Sequence, residues 1–262
     1  MASSVKSLFS PSISDNFSTQ QTLTLIGLAG LVSLLIALIP LLGLAGYPFR
    51  LLLTIVHELG HGLAALLTGG SFIRFVIHSD GSGLATTAGG WRLAVIPAGY
   101  LGVAVFGAGL ILLGRNHRWS RIALALIGAV MALLSLRYGL PAIFSTQILS
   151  GILTTMSGLI FGVLFLWVAI KAAPGWIIFL THLIAIQAVL TAFSDLFALI
   201  GLSTRFFNAP VNDAQAMAGL TFVPAIIWAI VWAVTASALI GGAIWLTWIK
   251  RKERGWRIEN RR

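Results

Sequence analysis

Residues 50–70 read RLLLTIVHELGHGLAALLTGG, and the architecture turns on how this stretch is interpreted. After Arg50 it stays apolar for about 20 residues, the length a helix needs to cross a hydrocarbon core. Yet His57, Glu58 and His61 lie inside it, two of the chain's five His and one of its three Glu. At roughly 1.5 Å per residue, His57 is about 10 Å along the helix from Arg50 and His61 about 12 Å from Gly69, so the group lies near mid-depth. Ionisable side chains at that depth persist when paired, hydrated or metal-bound, and they mark function.

The spacing names the chemistry. Residues four apart share one helical face, so His57 and His61 can offer two imidazole nitrogens to one ion. Glu58, beside the first of them, is placed to take a proton from water and pass it to a leaving amine. Two neutral imidazoles and a carboxylate suit Zn²⁺.

The whole chain agrees with a membrane setting. Of its 262 residues 58% are hydrophobic and 9% charged, with a mean hydropathy of +0.97. Soluble domains carry about a quarter charged residues, and a disordered chain could not keep this much apolar surface hydrated. Zero Cys excludes disulfides, thiolate metal sites and cysteine nucleophiles. The 17 Lys and Arg against 7 Asp and Glu give a net charge of +10, the balance of a nucleic-acid binder. Here, however, the cations flank apolar runs or close the chain as KRKERGWRIENRR (residues 250–262), facing the anionic lipid of a bilayer rather than nucleic acid.

The sequence therefore predicts an all-α polytopic membrane protein of about seven transmembrane helices, with spans near 22–43, 49–68, 93–114, 121–138, 151–171, 176–200 and 222–249. A polar segment, 1–21, precedes this single membrane domain of 22–249, and the basic tail 250–262 follows it. A cytoplasmic tail puts twelve of the 17 Lys and Arg on its side and five on the other. Residues 69–92 differ from the other connections. Glycine pairs bound a β-prone run, Phe72 to Ile77, then the turn signal Asp80-Gly81, then a returning Leu84 to Thr87. A small β-hairpin insert after the second span is expected.

A catalytic zinc site needs a third protein ligand and an open fourth position. Of the remaining acids only Asp195, six residues or about 9 Å before Gly201, lies within an apolar helix, at a depth close to that of His61. It is the first choice, making 176–200 the helix that supplies the additional ligand. Asp213 reads first as a helix N-cap before the last span, and alternatively folds back over the site. His182, seven residues after Gly175, matches the depth of His57 from the other face and is a weaker third candidate. His78, Asp80 and His117 fall in connections and are expected to be solvated.

These residues resemble the site-2 protease family of intramembrane zinc metalloproteases, and most of all its compact branch without a PDZ domain. The resemblance runs through IVHELGHGLAALLTGG (55–70), IHSDGSGLATTAGG (77–90), IPAGYLGVAVFGAGL (96–110), SDLFALI (194–200) and NDAQAMAGL (212–220). It implies zinc on His57 and His61, Glu58 as acid/base, a carboxylate from a later span, and a hairpin that receives an unwound substrate strand. The family's third-ligand Asp stands in Leu-Asp-Gly or Asn-Pro-Asp-Gly, whereas Asp195 stands in Ser-Asp-Leu. The family's Asn after the hairpin has no counterpart in PAGYLGVAVFG. The resemblance also turns the hairpin to the cytosol, opposite to the charge count. The expected function is cleavage of a membrane-protein substrate within its transmembrane segment. The alternative is a scaffold or metal-transport protein that keeps the His pair without catalysis.

Overall fold

The structure is a computed structural model and describes residues 8–9, 18–39, 43–203 and 212–249. The basic tail and most of the polar N-terminal segment lie outside the described residues. In chain order the elements are α1 (Thr19–Leu38), α2 (Gly43–Leu67), β1 (Ser71–Ile77), β2 (Gly83–Ala88), a single turn α3 (Arg92–Val95), α4 (Ala98–Leu113), α5 (His117–Leu134), α6 (Ile148–Lys171), α7 (Pro174–Ser203), α8 (Asp213–Thr221) and α9 (Ala225–Ile244).

Among the described residues six helices are long and apolar enough to cross a membrane, and large apolar side chains such as Leu38, Leu67, Phe144 and Trp167 stand exposed on their outer faces. This is an integral, multi-pass membrane protein. The third predicted span, 93–114, is cut short: Pro97 separates α3 from α4, and α4 has 16 residues. Apolar on all sides, α4 packs between α2, α7 and α9 as an interior helix. The predicted span 121–138 is longer than expected. It begins at His117 and continues past α5 through a π turn, Ser135–Gly139, and a tight turn, Leu140–Phe144.

The hairpin is set by the end of α2. Gly69 takes φ 82°, its N–H donates to Leu66, and the Gly70 N–H reaches back to the Ala65 carbonyl, the paired closure that ends a helix and turns the chain away. β1 and β2 then pair antiparallel from Ser71 opposite Ala88 to Ile77 opposite Gly83, with an irregularity between Phe72 and Arg74. Phe72, Phe75 and Ile77 enter the main core beside Leu52, Ile55 and Leu59 of α2. The outer edge of β1 is engaged by α6, whose Thr154 Oγ1 accepts from the Ile77 N–H at 2.7 Å. His78, expected to be solvated, instead contacts Ser150 of α6 through Nδ1 at 3.0 Å. His117 is likewise buried, at the start of α5.

Three side chains on one face of α2 hold the hairpin's far end. The Tyr47 hydroxyl donates to the Ser79 carbonyl (2.9 Å), Arg50 to Asp80 (3.4 Å) and Thr54 to Gly81 (2.8 Å). Helix positions 47, 50 and 54 are spaced to meet three successive carbonyls of the turn. Within that turn the Ser82 N–H and hydroxyl both donate to the exposed Asp80 carboxylate, which holds its pKa below the usual carboxylate value.

Candidate metal centre

The last turns of α2 carry His57 and His61 on one side and Glu58 on the next. His61 is oriented from outside the helix: its Nδ1 contacts the carbonyl of Val95, in α3, at 2.8 Å. A carbonyl only accepts, so that nitrogen carries the proton and Nε2 presents its lone pair. The two Nε2 atoms are 3.1 Å apart. His57 is braced by the ring of Tyr100, edge-on at 4.7 Å, and Tyr100 in turn stacks on Trp232 of α9.

The third group is Asp213. Its Oδ2 is 3.4 Å from Nε2 of His57 and 3.3 Å from Nε2 of His61, and these three residues form the one group among the described residues whose ligand atoms converge as a metal site requires. The N-cap reading is corrected. Asn212 caps α8, accepting from the Gln215 N–H at 3.0 Å, and Asp213 in the first turn is left free to face the imidazoles. Ala214 and Met217 hold α8 there, buried against Leu196 and Leu199 of α7, Ile96 and Trp232. Burial by itself would raise the Asp213 pKa, but the two imidazoles against it outweigh that and hold the carboxyl well below its ordinary range.

The first-choice ligand, Asp195, is not in this group. It lies one wall away on α7, lining a cavity of about 1080 Å³ that His57 and Glu58 also line. Equal depth in the sequence did not bring it to the imidazoles: Asp195 stays across that cavity from them, and the carboxylate that meets both is Asp213, at the start of α8. His182 is also elsewhere: its Nδ1 contacts the Ile178 carbonyl of its own helix at 2.8 Å, and it packs against Gly114 at the end of α4.

The geometry fits a tetrahedral ion. With metal–nitrogen and metal–oxygen bonds of about 2.0–2.2 Å, a tetrahedron has edges of about 3.3 Å, and the observed edges are 3.1, 3.3 and 3.4 Å. Space is kept for it by Gly99, where a Cβ would collide with Nε2 of both His57 and His61. Gly99, Tyr100 and the Val95 carbonyl are the site components that the sequence reading missed. The signal available was PAGYLG, a Pro-started helix whose Gly99 and Gly102 lie three apart on one face, a pattern of close helix approach.

Glu58 is buried under β2. Gly83 is the reason it fits, because a Cβ there would strike Oε1 of Glu58 and the Thr54 methyl. A second cavity, of about 370 Å³, lies on the β2 side of the triad and is lined by Gly83, Leu84, Ala85 and Thr87 of the strand together with His57, Glu58, His61 and Asp213. The edge of β2 away from β1 thus borders the site, with no strand paired to it among the described residues.

A model of the Peptidase M50B-like family matches residues 27–243. No curated protein and no solved structure matches the chain.

Proposed function

The chain belongs to the Peptidase M50B-like family, a membrane metallopeptidase family, and from that premise we propose that it is an intramembrane zinc endopeptidase acting on a transmembrane segment of another membrane protein. The observation that carries this reading is the triangle of His57, His61 and Asp213, with Glu58 one residue along from the first ligand. These three side chains would hold Zn²⁺ with a fourth position free. Zinc there supplies a Lewis acid that polarises a scissile carbonyl and makes water easier to deprotonate.

The chain's own residues do the rest. Glu58 takes the proton from the attacking water and returns it to the leaving amine. Burial beneath β2 shields that carboxylate from bulk water. A helical substrate hides its amides in internal hydrogen bonds, so it must unwind before attack. The free edge of β2 offers the main-chain donors and acceptors that an extended strand needs in exchange. Thr154 occupies the other edge of the hairpin at Ile77, which leaves β2 as the edge for addition.

Glu58→Gln is the test. It should lower turnover of a membrane-anchored peptide by about 10²- to 10⁴-fold while zinc content stays stoichiometric. Full turnover by that variant would remove Glu58 from the mechanism. A zinc-loaded wild-type protein that cleaves no membrane peptide would favour the scaffold or transport reading.

A further inference from the structure

Two acids among the described residues lie inside long spans, and they differ in what surrounds them. Glu58 sits against β2 and the metal-binding side chains. Asp195 has no hydrogen bond or ion pair from any described residue; the charges it feels are those of His57 and Arg50. The Arg50 guanidinium reaches the Asp80 carbonyl at the hairpin turn, on another wall of the cavity. An unpaired acid within a span is costly, and it is retained where it meets a ligand or a pathway.

Asp195 does not stand alone. Gln187, Thr191 and Ser194 precede it on α7 at spacings of four, three and one, so they form a polar stripe facing the larger cavity. Gln187 is 8% exposed and Ser33 of α1, across the same cavity, 1%, yet Gln187 Nε2 and Ser33 Oγ have no hydrogen-bond partner among the described residues. Buried polar atoms in a folded protein are nearly always satisfied. Here two of them and one carboxylate border a single space of about 1080 Å³, the size of a ligand pocket, which His57 and Glu58 also line. An occupant of that space lies beside the reacting groups.

We propose that the α7 wall formed by Gln187, Thr191, Ser194 and Asp195 is a substrate subsite that receives a cationic side chain carried by the membrane segment being cleaved. The inference rests on the peptidase reading and adds a preference to it. A carboxylate only accepts hydrogen bonds, so the side chain that completes it is a donor, and Lys or Arg also neutralises it. The long aliphatic stem of such a residue passes through an apolar span while its head reaches the polar stripe.

The test is equilibrium binding of labelled apolar peptides, about 20 residues long, to zinc-loaded Glu58→Gln protein in detergent micelles. Each peptide carries Lys, Leu or Glu at one scanned position. The Lys peptide should bind about tenfold tighter than the Leu peptide at its best position, the size of one charge-assisted hydrogen bond, and the Glu peptide weaker than both. Adding Asp195→Asn should bring the Lys-to-Leu ratio to about one. Equal binding of Lys and Leu peptides overturns the subsite, as does a ratio that survives Asp195→Asn. Loss of zinc from Asp195→Asn overturns it too, by making Asp195 a ligand. The peptide series needs no variant at Asp195, so a folding defect there leaves the order Lys, Leu, Glu as the deciding result. Cleavage of Leu and Lys peptides alike, without preference in binding, sinks the subsite and spares the peptidase reading; Lys-selective binding with no cleavage by the wild type does the reverse.

Discussion

Asp195 and Asp213 are 18 positions apart in the chain and meet opposite fates. Asp195 lies inside the long apolar helix α7 and faces a cavity, with no partner among the described residues. Asp213 lies in the first turn of the nine-residue α8, outside the long spans, and touches both imidazoles. Depth along an apolar run is therefore a poor guide to ligation. What selects Asp213 is a short helix whose Ala214 and Met217 are gripped by α7, Ile96 and Trp232, and whose N-cap duty is taken by Asn212.

That contrast can be broken directly. Asp213→Ala should weaken zinc binding by at least about 100-fold, since it removes one of the three side chains proposed to hold the ion, whereas Asp195→Ala should leave it within about twofold. Chelator competition on the two variants reads this, and equal losses would erase the distinction. Gly99→Ala sharpens it by testing whether the space beside the triangle is an ion's. Overpacking of about 2 kcal/mol, roughly thirtyfold in zinc affinity, is expected, and unchanged affinity would place the ion elsewhere. Asn212→Ala should cost about 1 kcal/mol, roughly fivefold in zinc affinity, by loosening the turn that aims Asp213. The smallest effect belongs to the hairpin's anchor: Thr54→Val loses one hydrogen bond to Gly81, about 1 kcal/mol, seen as faster proteolytic nicking of the turn with zinc content unchanged.

Local patterns were legible where local physics decides. The four-residue step from His57 to His61 fixes a shared face in any helix, and the glycine pairs and Asp80-Gly81 force a turn-back whatever surrounds them. Apolar length identified the membrane helices, yet it counted 93–114 as a span because one Pro in a run of 22 hardly changes mean hydropathy. In three dimensions Pro97 divides that run and leaves α4 inside the bundle. The charged connections were misjudged for a related reason: His78 and His117 look solvated in a polar stretch, but β1 docks on α6 and α5 starts beneath its neighbours.

The sequence by itself determined a membrane protein with an intramembrane His pair, its adjacent Glu and a hairpin beyond, because helix periodicity, hydrophobic length and turn chemistry act within a few residues. Only the tertiary structure decided that Asp213 completes the triangle, that Gly99 keeps its centre clear, and that Asp195 is left facing an open cavity. Those outcomes depend on how α4, α7 and α8 pack around α2, and packing between distant segments is set by shape and burial summed over many side chains rather than by any motif.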